Sequence, residues 1–152
     1  MREIVFRGKD AQGRWLYGAV VNCCDKSCYL VEGIIAFEDV GEACNLYNMP
    51  VAEPVLRETV GEFTTLWDAG GEDIYEGDIV QGRSEYFGHD NFCRGVVFWS
   101  EGRFVISFGD SVEACEKLED TEELREWHED VEVIGNIFDE PELLENGGKL
   151  KA

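Results

Sequence analysis

Short runs of β-branched and aromatic residues, each cut off by glycine or a polar turn, set the rhythm of the chain. Ile4-Val-Phe-Arg-Gly8 and the run 15–21 flank the polar loop Lys9-Asp-Ala-Gln-Gly13-Arg14. This pattern predicts a β-hairpin, because the loop glycine can take the positive φ that a tight turn needs. Residues 29–37 read as one or two further strands broken at Gly33. The segment 38–49 stays open between a short helix and an irregular insertion. Residues 51–56 read as an extended connector, since Pro50 and Pro54 bias their predecessors away from helix.

The densest signal lies at 58–80. Glu62-Phe-Thr-Thr-Leu-Trp67 alternates polar and apolar positions as a half-buried strand does. Asp68-Ala-Gly-Gly71 is a hairpin turn signal, Ile74-Tyr75 resumes the strand, and Glu76-Gly-Asp78 turns sharply into Ile79-Val80. Residues 81–93 read as a polar loop. Strands are predicted at 95–99 and 103–108, joined by Ser100-Glu-Gly102. Asp120 and Glu123 have capping-box spacing ahead of the apolar Leu124 and Trp127, which predicts a helix over 121–128. The last strand is 131–138, with Gly135 marking a bulge or a close backbone approach. Pro141-Glu-Leu-Leu144 is a terminal turn placed to dock back on the strands. No internal repeat is apparent.

Short strands at close spacing favour a small closed barrel, which removes exposed edges. The expected fold is mainly β: an N-terminal β-hairpin region over 1–57, an SH3-like small barrel over 58–145 with one or two short helices, and a disordered tail at 146–152. The aromatics belong mostly to the core of so small a barrel, with Trp67 and Trp99 the pair expected at the surface.

Charge changes this picture. The 152 residues carry a net charge of −20, unevenly spread. Residues 1–57 hold 8 acids and 6 bases, whereas 58–152 hold 25 acids and 7 bases. A field of that sign repels phosphate backbones and anionic lipid; it serves simple solubility first, and would also favour a basic partner. The opening residues lack the basic-then-apolar build of a signal peptide, and no run approaches the roughly 18 apolar residues of a spanning helix. A cytoplasmic protein with reduced cysteines is expected.

Three blocks resemble the YopX family of phage and prophage proteins. They are Ile4-Val-Phe-Arg-Gly8 with Gly13-Arg-Trp-Leu-Tyr-Gly18; Thr59-Val-Gly61, Phe63-Thr64-Leu66 and Ile74-Tyr-Glu-Gly-Asp-Ile-Val80; and Val131-Glu-Val-Ile-Gly-Asn-Ile137 followed by Pro141-Glu-Leu-Leu144. Glu62 stands where the family usually has glutamine, Thr65 where it commonly has glycine, and 67–73 replaces a more basic turn. The resemblance implies a mostly β protein with an SH3-like C-terminal barrel, made in a bacterial cytoplasm from phage or prophage DNA. It implies no reaction.

Candidate chemistry is sparse. Cys24 and Cys28 have the spacing of one zinc-ligand pair, with Cys23 beside them, but Cys44, Cys93 and Cys115 are scattered singly. His89 with Cys93 lacks the context of a nucleophile and its base. Asp73, Glu76 and Asp78 around Gly77 suit turn chemistry as well as acid–base work. No catalytic residue, metal site or cofactor is assigned. The window 110–132 holds 11 acids against Lys117 and Arg125. Its residues Glu116, Glu119, Asp120, Glu122, Glu123 and Glu126 form a candidate acidic face for a partner.

The leading expectation is a non-enzymatic accessory protein acting through protein–protein contacts. Its partner is a protein of basic character, neither nucleic acid nor membrane, and the chain is expected to self-associate. A DNA-mimic inhibitor of a nucleic-acid-binding protein is the first alternative, and a small metal-dependent enzyme the second.

Overall fold

A computed structural model describes residues 4–24, 27–31, 52–83 and 92–145, with backbone alone at 21–24, 27–31, 52 and 83. The protein is mainly β, with a few short helices, and divides into two units, Met1–Glu62 and Phe63–Ala152.

In the first unit, β1 (Phe6–Lys9) and β2 (Trp15–Cys24) form the expected hairpin, in register from Phe6 opposite Gly18 to Lys9 opposite Trp15. Gly13 closes the turn at φ 81°. β3 (Ser27–Val31) pairs with β2, and β4 (Ala52–Val55) pairs with β3. The expected extended connector is therefore a strand. Its Pro54, which cannot donate to a ladder, sits on the strand that ends the order β4-β3-β2-β1 among the described residues, where one side needs no partner. Val55 is buried with Phe6, Leu16, Val20 and Val60 packed round it. Gly8 lies beneath this cluster, where a Cβ would stand 3.2 Å from Val55 and Val60. The readings for 32–51, including the break at Gly33, and for the tail beyond 145 lie outside the described residues.

The boundary between the units falls inside β5 (Gly61–Trp67), whose first two residues pair with β1. The rest of β5 pairs with β6 (Asp73–Tyr75), with a register irregularity between Phe63 and Trp67. β7 (Asp78–Arg83), β8 (Phe92–Ser100), β9 (Arg103–Phe108) and β10 (Thr121–Glu123) make an antiparallel meander. β11 (Val131–Asn136) returns beside β7, giving the order β10-β9-β8-β7-β11. Among the described residues β10 and β11 lie at opposite edges and do not pair, so the expected closed barrel is not formed.

Alternation along the strands gives this sheet an apolar cluster on each face. On one, Val80, Val97, Phe104, Ile106 and Val131 pack with Ile74 and Leu124. On the other, Ile79 and Val96 pack with Cys115 and Leu144. Burying a side chain of this size contributes about 1.5–3 kcal/mol. Leu144 comes from the 3-10 turn Pro141–Leu144, which docks as the sequence predicts. Arg94 fastens that turn by donating to the Leu143 carbonyl (2.7 Å). Gly135 lies at the register shift in β11, where a Cβ would stand 2.7 Å from Leu143.

The helix expected over 121–128 is displaced. Thr121–Glu123 is extended and paired with β9, and α2 (Leu124–Trp127) begins only after it, with Glu123 at its N-cap and no side-chain cap bond. A strand ladder with Val105 to Ser107 outweighs local capping propensity here. The other helix, α1 (Val112–Glu116), is capped by Ser111, whose Oγ accepts from the Ala114 N–H (3.1 Å). The predicted loop 81–93 is also shorter than expected, since 81–83 and 92–93 belong to β7 and β8.

Candidate interaction surface

The stretch 58–80 builds its turns from its own carboxylates. Asp68 is buried, and its Oδ1 accepts from the Gly70 and Glu72 N–H groups, both at 2.9 Å. Its Oδ2 accepts from the Val133 N–H (2.9 Å), while the Ala69 N–H donates to the Val131 carbonyl (2.9 Å). The hairpin tip thus occupies the edge of β11 that β7 leaves exposed. A covered edge cannot template pairing with another chain.

The same turn occurs in the first unit. Asp10-Ala-Gln-Gly-Arg14 and Asp68-Ala-Gly-Gly-Glu72 share the backbone bonds from the Asp N–H to the fifth carbonyl and from the glycine N–H back to the Asp carbonyl. In both, the carboxylate accepts from the third and fifth N–H groups, and the fourth-position glycine has φ 81° or 84°. The difference is at the fifth residue. Arg14 brings its guanidinium to Asp10 Oδ2 (2.7 Å), whereas Glu72 leaves Asp68 Oδ2 for β11. The Arg14 backbone N–H and then its side chain hold the Asp10 carboxyl below its ordinary value, against an opposing effect of desolvation.

Asp78 is fully buried and accepts from the Tyr75 N–H (2.8 Å) across the turn at Gly77, which has φ 90°. The Gly77 N–H donates to the Val97 carbonyl and its own carbonyl accepts from Ile137. Of the acids around Gly77, Asp78 therefore closes a turn, while Asp73 is exposed on β6 and Glu76 half-buried.

At the end of β5, Trp67 is 50% exposed. Its carbonyl lies 2.7 Å from His128 Nδ1, and since a carbonyl only accepts, that nitrogen carries the proton. The two rings meet edge to face at 5.7 Å. Asp73 is the cross-strand partner of Trp67. Thr65, two residues earlier, has φ 66°. A β-branched residue in the left-handed region is strained, and this is the position where the family commonly has glycine. Thr64 takes up the irregularity, donating its hydroxyl to the Ile74 carbonyl (2.8 Å) and accepting from the Leu66 N–H (3.2 Å).

Trp99 is 47% exposed and packs edge to face on Phe104 across β8 and β9 (4.8 Å). Both tryptophans expected at the surface are there. In the first unit, taken by itself, Tyr17 is exposed. The six acidic candidates do not share one helical face. Glu116 is on α1, Glu119 and Asp120 are in the link to β10, and Glu126 is on α2, all exposed. Glu122 and Glu123 are consecutive in β10 and so point to opposite faces; Glu123 lies 3.8 Å from Arg103.

Cys93 is buried in β8 rather than exposed in a loop. Cys115 is buried completely, and desolvation first, with the charges of Asp110 and Glu116 after it, pushes its thiol up to about 11. That is the opposite of the low pKa a nucleophilic cysteine needs. His89 and Cys44, and the side chains of Cys23, Cys24 and Cys28, lie outside the described residues. Sequence reasoning missed His128, since nothing in spacing links it to a residue 61 positions away. It also missed the left-handed Thr65, although the family's glycine was a signal for it.

Two sheets of antiparallel strands with a few short helices define a mainly β protein, whose second unit exposes two tryptophans. The chain belongs to the YopX family: the family model described as YopX protein matches residues 6–145. The crystal structure of protein EF1440 from Enterococcus faecalis is similar at 23% identity and a TM-score of 0.50, over 94% of this chain and 99% of that one. That likeness concerns the fold. No curated protein matches the chain. No helix among the described residues is long and apolar enough to cross a membrane.

Proposed function

We propose that this protein is a non-enzymatic accessory protein of phage or prophage origin that works in the bacterial cytoplasm by contact with another protein. The observation that carries the reading is the surface of the second unit. It presents Trp67 and Trp99 at about half exposure, on a unit with 23 acids and 7 bases. Large aromatics are enriched where proteins meet, and acidic surroundings select a basic partner. The buried carboxylates Asp68 and Asp78 are spent on turns, and the Cys115 thiol is held protonated. Their chemistry supports a structural role for each.

The test is affinity purification of the tagged protein from its host across a salt series. A protein retained in stoichiometric amount and released as salt rises supports the reading. Recovery of nothing beyond the untagged control contradicts it. The DNA-mimic alternative rests on the charge of 110–132, whose acids are spread over α1, the link to β10, β10 itself and α2. Reversing Glu119, Glu122 and Glu123 to arginine separates the two, since only a mimic built on those residues loses its partner. Metal analysis of the purified protein tests the enzyme alternative, where one equivalent of zinc would favour it.

A further inference from the structure

Trp67 joins aromatic exposure to a carboxylate at its cross-strand position. Its indole stands at 84° to the His128 ring and is half exposed. Asp73 lies directly across the strand pair and Glu72 precedes it in the loop, both exposed. The Ala69–Val131 bond brings the turn to the start of β11, beside the exposed Glu129, Asp130 and Glu132. Arg125 on α2 is likewise exposed. Asp68, though central, turns its carboxylate inward to backbone N–H groups. The indole is held at both ends of its residue, by the His128 bond to its carbonyl and by the turn that follows.

We infer that Trp67, with Glu72, Asp73, Glu129 and Asp130 around it, is the docking platform for an arginine-rich segment of the partner protein. The indole face offers a cation–π seat, for which tryptophan is the best side chain and arginine the commoner cation. Carboxylates at its rim take the guanidinium N–H groups in paired, charge-assisted hydrogen bonds. Charge complementarity selects the occupant: a neutral or acidic peptide gains nothing from the rim, and a nucleic acid is repelled by it. This deepens the proposed contact function and rests on it.

The test uses the full chain and a blocked hepta-arginine peptide, followed through the tryptophan indole N–H signals in NMR. The Trp67 signal is identified by its loss in Trp67→Phe. The peptide is expected to move the Trp67 signal more than those of Trp15, Trp99 and Trp127. Asp73→Asn and Glu72→Gln, both at exposed positions that leave the turn bonds intact, are expected to weaken binding about two- to fivefold each. Trp67→Leu is expected to abolish the preference, with its fold checked by circular dichroism. A hepta-glutamine control should leave all four signals in place. The inference fails if the Trp99 signal moves equally, or if the Asp73 and Glu72 variants bind as wild type does. It also fails if reversal of Glu119, Glu122 and Glu123 removes the binding. A host partner captured equally well by wild type and Trp67→Leu would overturn this platform and leave the contact function standing.

Discussion

Thr65 occupies a backbone conformation that its side chain resists, and it does so on an exposed stretch of β5 beside Trp67. A left-handed L-residue costs about 1–2 kcal/mol, part of which glycine returns through its floppier unfolded chain. Thr65→Gly is therefore expected to raise stability by about 0.5–1 kcal/mol, seen as a higher urea midpoint, while Thr65→Val should lower it. Asp68 is the opposite case. Replacing it with alanine orphans three N–H groups, those of Gly70, Glu72 and Val133, and is expected to cost about 2–3 kcal/mol in the same assay. Asp10, its counterpart, gives a pH signature. Its folded-state pKa lies below 3.8, so its stabilisation is fully present above that value and is lost as pH falls through the lower folded one. The Gln12 and Arg14 amide signals should follow this acid titration in NMR, and Asp10→Asn should abolish it; titration at the ordinary value would refute the assignment.

At the scale of elements, turns with one chemical solution were the most legible. Gly13, Gly71, Gly77 and Gly102 all take positive φ, and each was visible as a glycine in a polar turn between β-prone runs. The strands flanking them followed from alternation. Where local propensity met a tertiary competitor, the reading shifted: Asp120 and Glu123 signal a cap, yet Thr121–Glu123 pairs with β9 and α2 starts later. Pro54 argued only against helix, and the extended connector read there is a paired strand, because a sequence does not tell which extended segment finds a ladder. The repeated Asp-Ala-x-Gly-x turn escaped notice because the similarity lies in its hydrogen bonds more than in its letters. Gly135, read as a close approach, makes the strongest prediction here. Gly135→Ala would drive a Cβ to 2.7 Å from Leu143 and 3.0 Å from Glu140, displacing the turn that carries Leu144. A loss of about 1–3 kcal/mol is expected in denaturant unfolding, against about 1 kcal/mol or less for Gly102→Ala, which meets no neighbour but keeps an unfavourable φ.

At the scale of the molecule, mainly β architecture and family were readable from three separated blocks, while barrel closure was not. Whether the last strand completes a ring depends on twist and on what lies beyond each edge. Here the tip of another hairpin, through Asp68 and Ala69, covers the outer side of β11. The acidic face was legible as composition but not as shape, because β10 sends Glu122 and Glu123 to opposite sides. The aromatic reading fared better: Trp67 and Trp99 stand out where alternation put them. The proposal that the protein acts by contact through the Trp67 surface can be tested in the cell. The direct measurement is site-specific photo-crosslinking in the host, with the photoreactive residue at 67 and, as control, at the exposed position 102. A discrete crosslinked protein is expected from position 67, absent from position 102 and diminished by Asp73→Asn. Equal crosslinking from both positions, or none from 67, would contradict it.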